Sequence, residues 1–527
     1  MLLLHNAQIY TLDPERPQAS AILIDRRHIV DIGDKHTLLS EAHGNVVSED
    51  LDNRTVIPGL TDAHIHLEQY ALSLDKVDCE TATKVECLQN VSKRADRLHD
   101  DAWILGHGWN QNDWIDGFGT AADLDKISGN HPVYLTAKSL HAGWANSMAL
   151  RMANISSVTA DPPGGRIGRD QHGQPTGILF ESAMDLITSV IPNAGVDLVV
   201  KAINNAQNSL WKVGITSVHD FDRSRCFQAL QILNQRGDLR LRVIKSLPLE
   251  DLPHAVALGL RSGYGDDYLR IGSIKAFADG ALGPRTAAMI QSYEGEPNNR
   301  GMLLLDREEL SEHGRLAVEN GLSLAVHAIG DRANHEVLGA FAQIRDFENE
   351  VGIHPLRHRI EHVQLLHHQD VNRLGELGIV ASMQPIHATS DMPMADRYWG
   401  DRAGLAYGWR SQISSGAILA FGSDAPVESP NPFWGMHAAV TRQRVDGSPG
   451  SDGWIPDQKI GLLDALKAYT TGAAYAAGME TRVGKLARGY LADLIVLDEN
   501  LFNCEPNKIR DIRPVSTMVS GIWVYKI

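Results

Sequence analysis

Five apolar runs decide the fold: IGSIKAFADG at residues 271–280, SLAVHAIGD at 323–331, HRIEHVQLL at 358–366, IVASMQPIH at 379–387 and AILAFGSDAP at 417–426. Each has strand length, ends in polar residues and is followed by a stretch with amphipathic helical spacing. Working towards the N-terminus, LRLRVIKSLP (239–248), ITSVHDF (215–221) and PGLTDAHIHL (58–67) have the same form, which makes eight. Eight buried strands alternating with helices predict an α/β fold, a (β/α)8 TIM-type barrel, whose chemistry gathers at the carboxyl ends of the strands. An open doubly wound sheet is the alternative, but no glycine-rich phosphate loop follows the first strand.

Spacing tests the count, because a barrel of ~250 residues uses about 31 per βα unit. Lys275 to His327 is 52 residues, His327 to His362 is 35, and His362 to Asp424 is 62, two units with the MQPIH strand between them. His66 to Lys275 is 209 residues, and three units leave roughly 116 of these as excess. That excess falls between strands one and two and predicts an insertion over 71–199, placed to cover the barrel mouth. The barrel itself is expected over 58–70 plus 200–483. Both chain ends alternate in strand fashion, as in LLLHNAQIYTL near the start and LADLIVLD near the end, so 1–57 and 484–527 are expected to build one small β-sandwich domain.

The chain has 527 residues, 43% hydrophobic and 22% charged, a globular balance without the depletion that marks disorder. A net charge of −16 opposes phosphate backbones and anionic lipid surfaces. No nucleic acid or membrane partner is expected, and the expected partner is a small molecule. Four scattered cysteines with no CxxC pair fit a reducing compartment and argue against sulfur ligation of a metal. No segment approaches ~18 uninterrupted apolar residues and the N-terminus lacks signal-peptide features, so the expected location is cytoplasmic. A homodimer is compatible with all of this.

His64 and His66 stand at i and i+2 of a strand, so both imidazoles face one side and can reach one cation. An HxH pair alone is a weak signal. His327, His362 and Asp424, however, each end another buried strand, and three histidine-bearing strands and one aspartate strand converging by chance is a poor alternative. Imidazole and carboxylate ligands without thiolate suit zinc. Lys275 shares a strand face with Ser273 and Phe277; a desolvated neutral amine there could take up carbon dioxide and, as an anionic carbamate, bridge two metals.

These residues resemble the amidohydrolase superfamily along nearly the whole chain outside the insertion. The resemblance rests on PGLTDAHIHL, IKAFADGALGPRTAA, AVHAIGDRAN, RIEHVQ, FGSDAPV and the C-terminal GKLARGYLADLIVLD. ADGALGPRTA with HAIGDRAN is similar to the branch that includes N-substituted formamide deformylases. The resemblance implies one or two zinc ions, with His64, His66 and Asp424 on the more buried metal, His327 and His362 on the more exposed one, and a carboxylated Lys275 between them.

The expected reaction is hydrolysis of a non-peptide C–N bond, in an amide or N-substituted formamide, by a metal-activated hydroxide. Asp424 serves as general base and then acid, because an amine leaves poorly unless protonated. Deamination of a nucleobase-like ring is an alternative, disfavoured because AVHAIGD stands where an HxxE arrangement is expected. A non-catalytic scaffold is another, disfavoured because all six ligand positions are filled. His387, Arg285, Trp109 and His141 are the candidate substrate contacts. Trp109, Trp114 and Trp144, beside Asn110, Asn112 and Asn146, suggest an apolar pocket wall with Trp109 facing the metals; the plainer reading is that the tryptophans form the insertion's own core.

Overall fold

The computed structural model describes residues 1–99, 101–111, 114–137, 142–192 and 195–527. The chain divides into two compact units, one of Met1–Tyr70 with Val199–Ile527 and one of Ala71–Leu198.

In the first unit eight strands lie side by side in chain order: β1 Leu60–Ile65, β2 Ile215–Asp220, β3 Arg242–Pro248, β4 Leu269–Phe277, β5 Leu324–Ala328, β6 Arg359–His362, β7 Val380–Met383 and β8 Leu419–Phe421. Pairing is parallel throughout. The edges meet, because the Asp424 N–H donates to the His64 carbonyl at 2.7 Å and the His66 N–H to the Ala425 carbonyl at 2.9 Å. The sheet therefore closes as a barrel. Strands covered on both faces must be apolar almost continuously, which is why these runs lack the alternation of a half-exposed strand. Gly422 makes the closure possible: a Cβ there would lie 2.4 Å from the His64 backbone nitrogen.

Helices follow the strands. After β5, Asp331–Val351 buries Val337, Leu338, Phe341 and Ile344, an i, i+1, i+4, i+7 stripe, and ends at Gly352 in the left-handed conformation. Register fixes what faces what at the strand ends: Phe277 opposes His327, and His327 opposes Glu361.

Both chain ends contribute to one seven-stranded sheet in the same unit, ordered Ile522–Lys526, Pro514–Val519, Leu494–Leu497, Val47–Pro58, Leu2–Tyr10, Gln18–Asp25, His28–Gly33. The strands are one hydrogen-bonded sheet because Val47–Pro58 pairs on one side with Leu2–Tyr10 and on the other with Leu494–Leu497. Leu4, Ile22, Val56, Leu494 and Met518 share its core. Arg242 of β3 is fully buried and clasps Asp493 in a fork, Nε to Oδ2 at 2.6 Å and Nη2 to Oδ1 at 2.7 Å, tying the barrel to this sheet.

The second unit is built on a six-stranded sheet, ordered Gly165–Arg169, Pro175–Glu181, Ala142–Ala145, Val133–Ala137, Ile104–Trp109, Val77–Asp78. Its core holds Trp109, Trp114 and Trp144 with Cys79, Cys87 and Leu135. Among the described residues, no helix is long and apolar enough to cross a membrane.

Candidate metal centre at the barrel strand ends

The residues singled out by spacing come together. Asp424 Oδ1 lies 3.4 Å from His64 Nε2 and 3.4 Å from His66 Nε2. The His362 ring stands 4.9 Å from that of His64 and 4.5 Å from that of His327. Ligand atoms of His64, His362 and Asp424 all fall within 4.8 Å of one another. Lys275 Nζ is buried with no hydrogen-bond partner, between the rings of Phe221 at 4.9 Å and Phe277 at 4.8 Å.

Each histidine is oriented by an acceptor on its other ring nitrogen. His64 Nδ1 faces Glu361 Oε2 at 2.6 Å, His66 Nδ1 faces Asp222 Oδ1 at 3.2 Å, and His362 Nδ1 faces Gln384 Oε1 at 2.8 Å. His327 is reversed, with Nε2 on the Gly280 carbonyl at 2.9 Å. Acceptors require an N–H opposite them, so a neutral ring offers a lone pair at Nε2 of His64, His66 and His362 and at Nδ1 of His327.

The supports are themselves held. Arg359 donates to both oxygens of Glu361, at 2.5 and 3.1 Å, and also to the Ala63 carbonyl and Ser382 Oγ. Asp222 accepts the Glu68 N–H at 2.6 Å. Asp62 joins β1 to β8 by accepting N–H groups from His64 at 3.1 Å and Ser423 at 3.0 Å. Asp220, Asp222 and Cys226 also cluster at metal-ligand distances. That cluster already contains a cation: the buried Lys245 ammonium sits 2.8 Å from Asp220 Oδ2 and donates to the Asp222 carbonyl.

Electrostatics follow from burial. Desolvation pushes His64 down to about 4 and His327 to about 3, and holds His362 well below its usual value, so all three rings are neutral at pH 7. For His66 burial acts in the same direction, but hydrogen bonds that its ring donates to Asp222 and Asp424 outweigh it and raise the group to about 10. Burial opposes ionisation of Asp424, yet the surrounding histidines, His64 first, keep it well below the carboxylate range. Burial lowers Lys275 to about 8. Neutral His64, His327 and His362, an ionised carboxylate and an orphaned buried amine fit a divalent cation, for which ligand atoms of His64, His362 and Asp424 already lie close together; His66, protonated at pH 7, would give up its proton on joining them.

The four candidate substrate contacts fare differently. His387 stands in the first turn of helix Pro385–Trp399, with Nε2 buried, without a hydrogen-bond partner and 3.9 Å from Asp424 Oδ2. Arg285 is engaged elsewhere: Nη1 lies 2.5 Å from Glu296 Oε1 and the guanidinium stacks over Tyr398. Trp109 is 0% exposed inside the second unit's core, its indole N–H on the Leu135 carbonyl at 2.9 Å, 6.2 Å from Trp114 and 6.4 Å from Trp144. With no exposed face, Trp109 takes the core role, and the idea that it faces the metals is not carried forward. Asn146 is likewise structural: its Oδ1 accepts the Val133 and Ala149 N–H groups. His141 and Asn112 lie outside the described residues.

Sequence reasoning missed Glu361, Asp222, Gln384, Lys245 and Asp62. Period-two alternation sets Glu361 and His362 on opposite faces, yet both point into the barrel, because β6 ends at His362 with φ of 76°. Asp424, with φ of 60°, is aimed in the same way. Left-handed backbone at a non-glycine residue costs on the order of 1–3 kcal/mol and concentrates at functional sites. The Asp-Gly pair of IKAFADG carried a usable signal: Asp279 accepts N–H groups of Ala288, Ile329 and Gly330, binding the loop after β4 to the end of β5, and Gly280 supplies the carbonyl that turns His327.

The sequence profile of the amidohydrolase family matches residues 48–525. Protein LONG AFTER FAR-RED 3 of Arabidopsis thaliana is 33% identical over 99% of this chain and 91% of its own length. An N-substituted formamide deformylase of Arthrobacter pascens is 27% identical over 100% of this chain and 98% of its own. Among solved structures, an uncharacterized metal-dependent hydrolase from Pyrococcus furiosus is 30% identical and superposes with a TM-score of 0.78 over 95% of this chain and 99% of that one.

Proposed function

The chain belongs to the amidohydrolase family, and on that premise we propose that it hydrolyses a non-peptide C–N bond, its substrate being an amide or N-substituted formamide. The observation that carries the reading is the set of four strand-end histidines, each with one ring nitrogen on its own acceptor and the other left for a ligand, with ionised Asp424 3.4 Å from those of His64 and His66. In this reading His64, His66 and Asp424 would hold one zinc ion and His327 and His362 a second, and Lys275, as its carbamate, would supply a further carboxylate ligand. When bound, such cations supply Lewis acidity that makes water a nucleophile near neutral pH and polarises a carbonyl.

The protein's own groups do the rest. Asp424 turns Oδ1 to the histidine nitrogens and Oδ2 towards His387. Its carboxylate accepts the proton released as water attacks the carbonyl carbon, then returns it to the departing nitrogen, without which the amine is a poor leaving group. His387 Nε2, lacking a partner of its own, is available to donate to the oxygen on which negative charge develops. The net charge of −16 and free cysteines support a cytoplasmic enzyme acting on a diffusing small molecule.

The test is metal analysis combined with a hydrolysis screen across formamides, N-acyl amines and cyclic amides. Metal-dependent release of an amine together with formate or another carboxylate is the expected result. Release of ammonia from a ring amidine would move the protein to the deaminases, and a metal-loaded sample inert on the whole panel would end the enzymatic reading.

A further inference from the structure

A second polar cavity, of about 420 Å³, is lined by residues at or just before the starts of β4, β5 and β6 and by His219 and Ser246 further along β2 and β3. His219 of β2, Ser246 of β3, Arg270 and Ser273 of β4, Ser323 just before β5, and Arg359 of β6 contribute to its wall. The volume is within the roughly 300–1,000 Å³ of small-molecule sites. Its wall contains three arginines, two histidines and four serines but no carboxylate, so its polar groups favour an acceptor.

Two donors there lack partners. Arg359 Nη1 lies 2.7 Å from His219 Nδ1; a guanidinium only donates, so Nδ1 is the acceptor and the His219 proton resides on Nε2. That Nε2–H is buried with no acceptor, and His219 is 1% exposed. Arg270 Nε is likewise buried and unpartnered. A buried donor left unmet is costly, and an occupant offering oxygen would recover that cost. Charge points the same way. Arg357 on this wall pairs with Glu480, and Arg359 with Glu361, whereas Arg270 forms no ion pair among the described residues. The hydroxyls of Ser262, Ser273 and Ser323 form a chain, at 3.2 and 2.8 Å, able to turn donors towards an anion.

We propose that this cavity binds a small oxyanion, with Arg270 supplying the charge and His219 Nε2–H the deepest hydrogen bond. The proposal does not rest on the reaction assigned to the strand-end histidines, although the site touches their support, because Arg359 on its wall also holds Glu361, the acceptor that orients His64. Inorganic phosphate and butanoate, titrated separately into the full-length protein by calorimetry, distinguish a free phosphate from a short carboxylate as the natural class. One of the two probes should saturate at a single site. Arg270→Ala should weaken that binding at least tenfold, and Ser246→Leu, which fills the cavity with apolar volume, should do the same, with thermal unfolding confirming that each variant folds. Saturable binding unmoved by either substitution would place the anion elsewhere and overturn the proposal, as would the absence of saturable binding by both probes at millimolar concentration.

Discussion

Histidines at the barrel strand ends and tryptophans in the second unit were both conspicuous in the sequence, and they met different ends. His64, His66, His327 and His362 converge, each with one nitrogen held by an acceptor and the other left to ligate. Trp109, Trp114 and Trp144 pack on one another 6.1 to 6.4 Å apart, and each indole N–H is spent on a backbone carbonyl. A residue type signals function when position forces it to remain polar in a buried place. An aromatic ring is under no such pressure, since burial alone satisfies it.

The largest effect should come from Asp424→Asn. Removing the proton acceptor is expected to lower kcat by about 10²–10⁴-fold, while metal content, measured by elemental analysis, is partly kept. Unchanged turnover would dissolve the functional half of the contrast. Trp109→Ala should act on stability instead, at a cost of about 3–5 kcal/mol for a fully buried aromatic, read by denaturant unfolding. The folded fraction should keep the same preference between bulky and small amides; a selective loss on bulky ones would return Trp109 to the pocket wall.

Glu361→Gln probes the support of His64 rather than the ligand itself and should weaken metal affinity by roughly 10–100-fold, seen as a shift in chelator competition. For Lys275, burial lowers the amine from 10.5 to about 8. The neutral form that reacts with carbon dioxide is therefore scarce at pH 6 and dominant above pH 8. Reactivation of metal-stripped protein by metal at a fixed concentration of dissolved carbon dioxide should speed up by about tenfold per unit as pH rises towards 8 and then level off. A flat profile would count against carbamate formation on Lys275. Smallest of all is Arg285→Ala: its partner Glu296 is partly solvent-exposed, and such pairs contribute about 0–1 kcal/mol. A large rise in KM would show that the guanidinium leaves Glu296 to meet substrate.

From the sequence by itself came the eight strands and the metal-capable residues where they stop. Those depend on local facts: apolar runs of fixed length, their spacing, and a polar side chain where a run stops. The partners of those residues were decided only by tertiary structure. Glu361 reaches His64 across 297 residues of chain, and Asp222 reaches His66 across 156. The parallel register and barrel closure bring them together, and left-handed backbone at His362 and Asp424 aims side chains against the pleat. Alternation along one strand carries no information about either, because both arise from contacts between strands far apart in sequence.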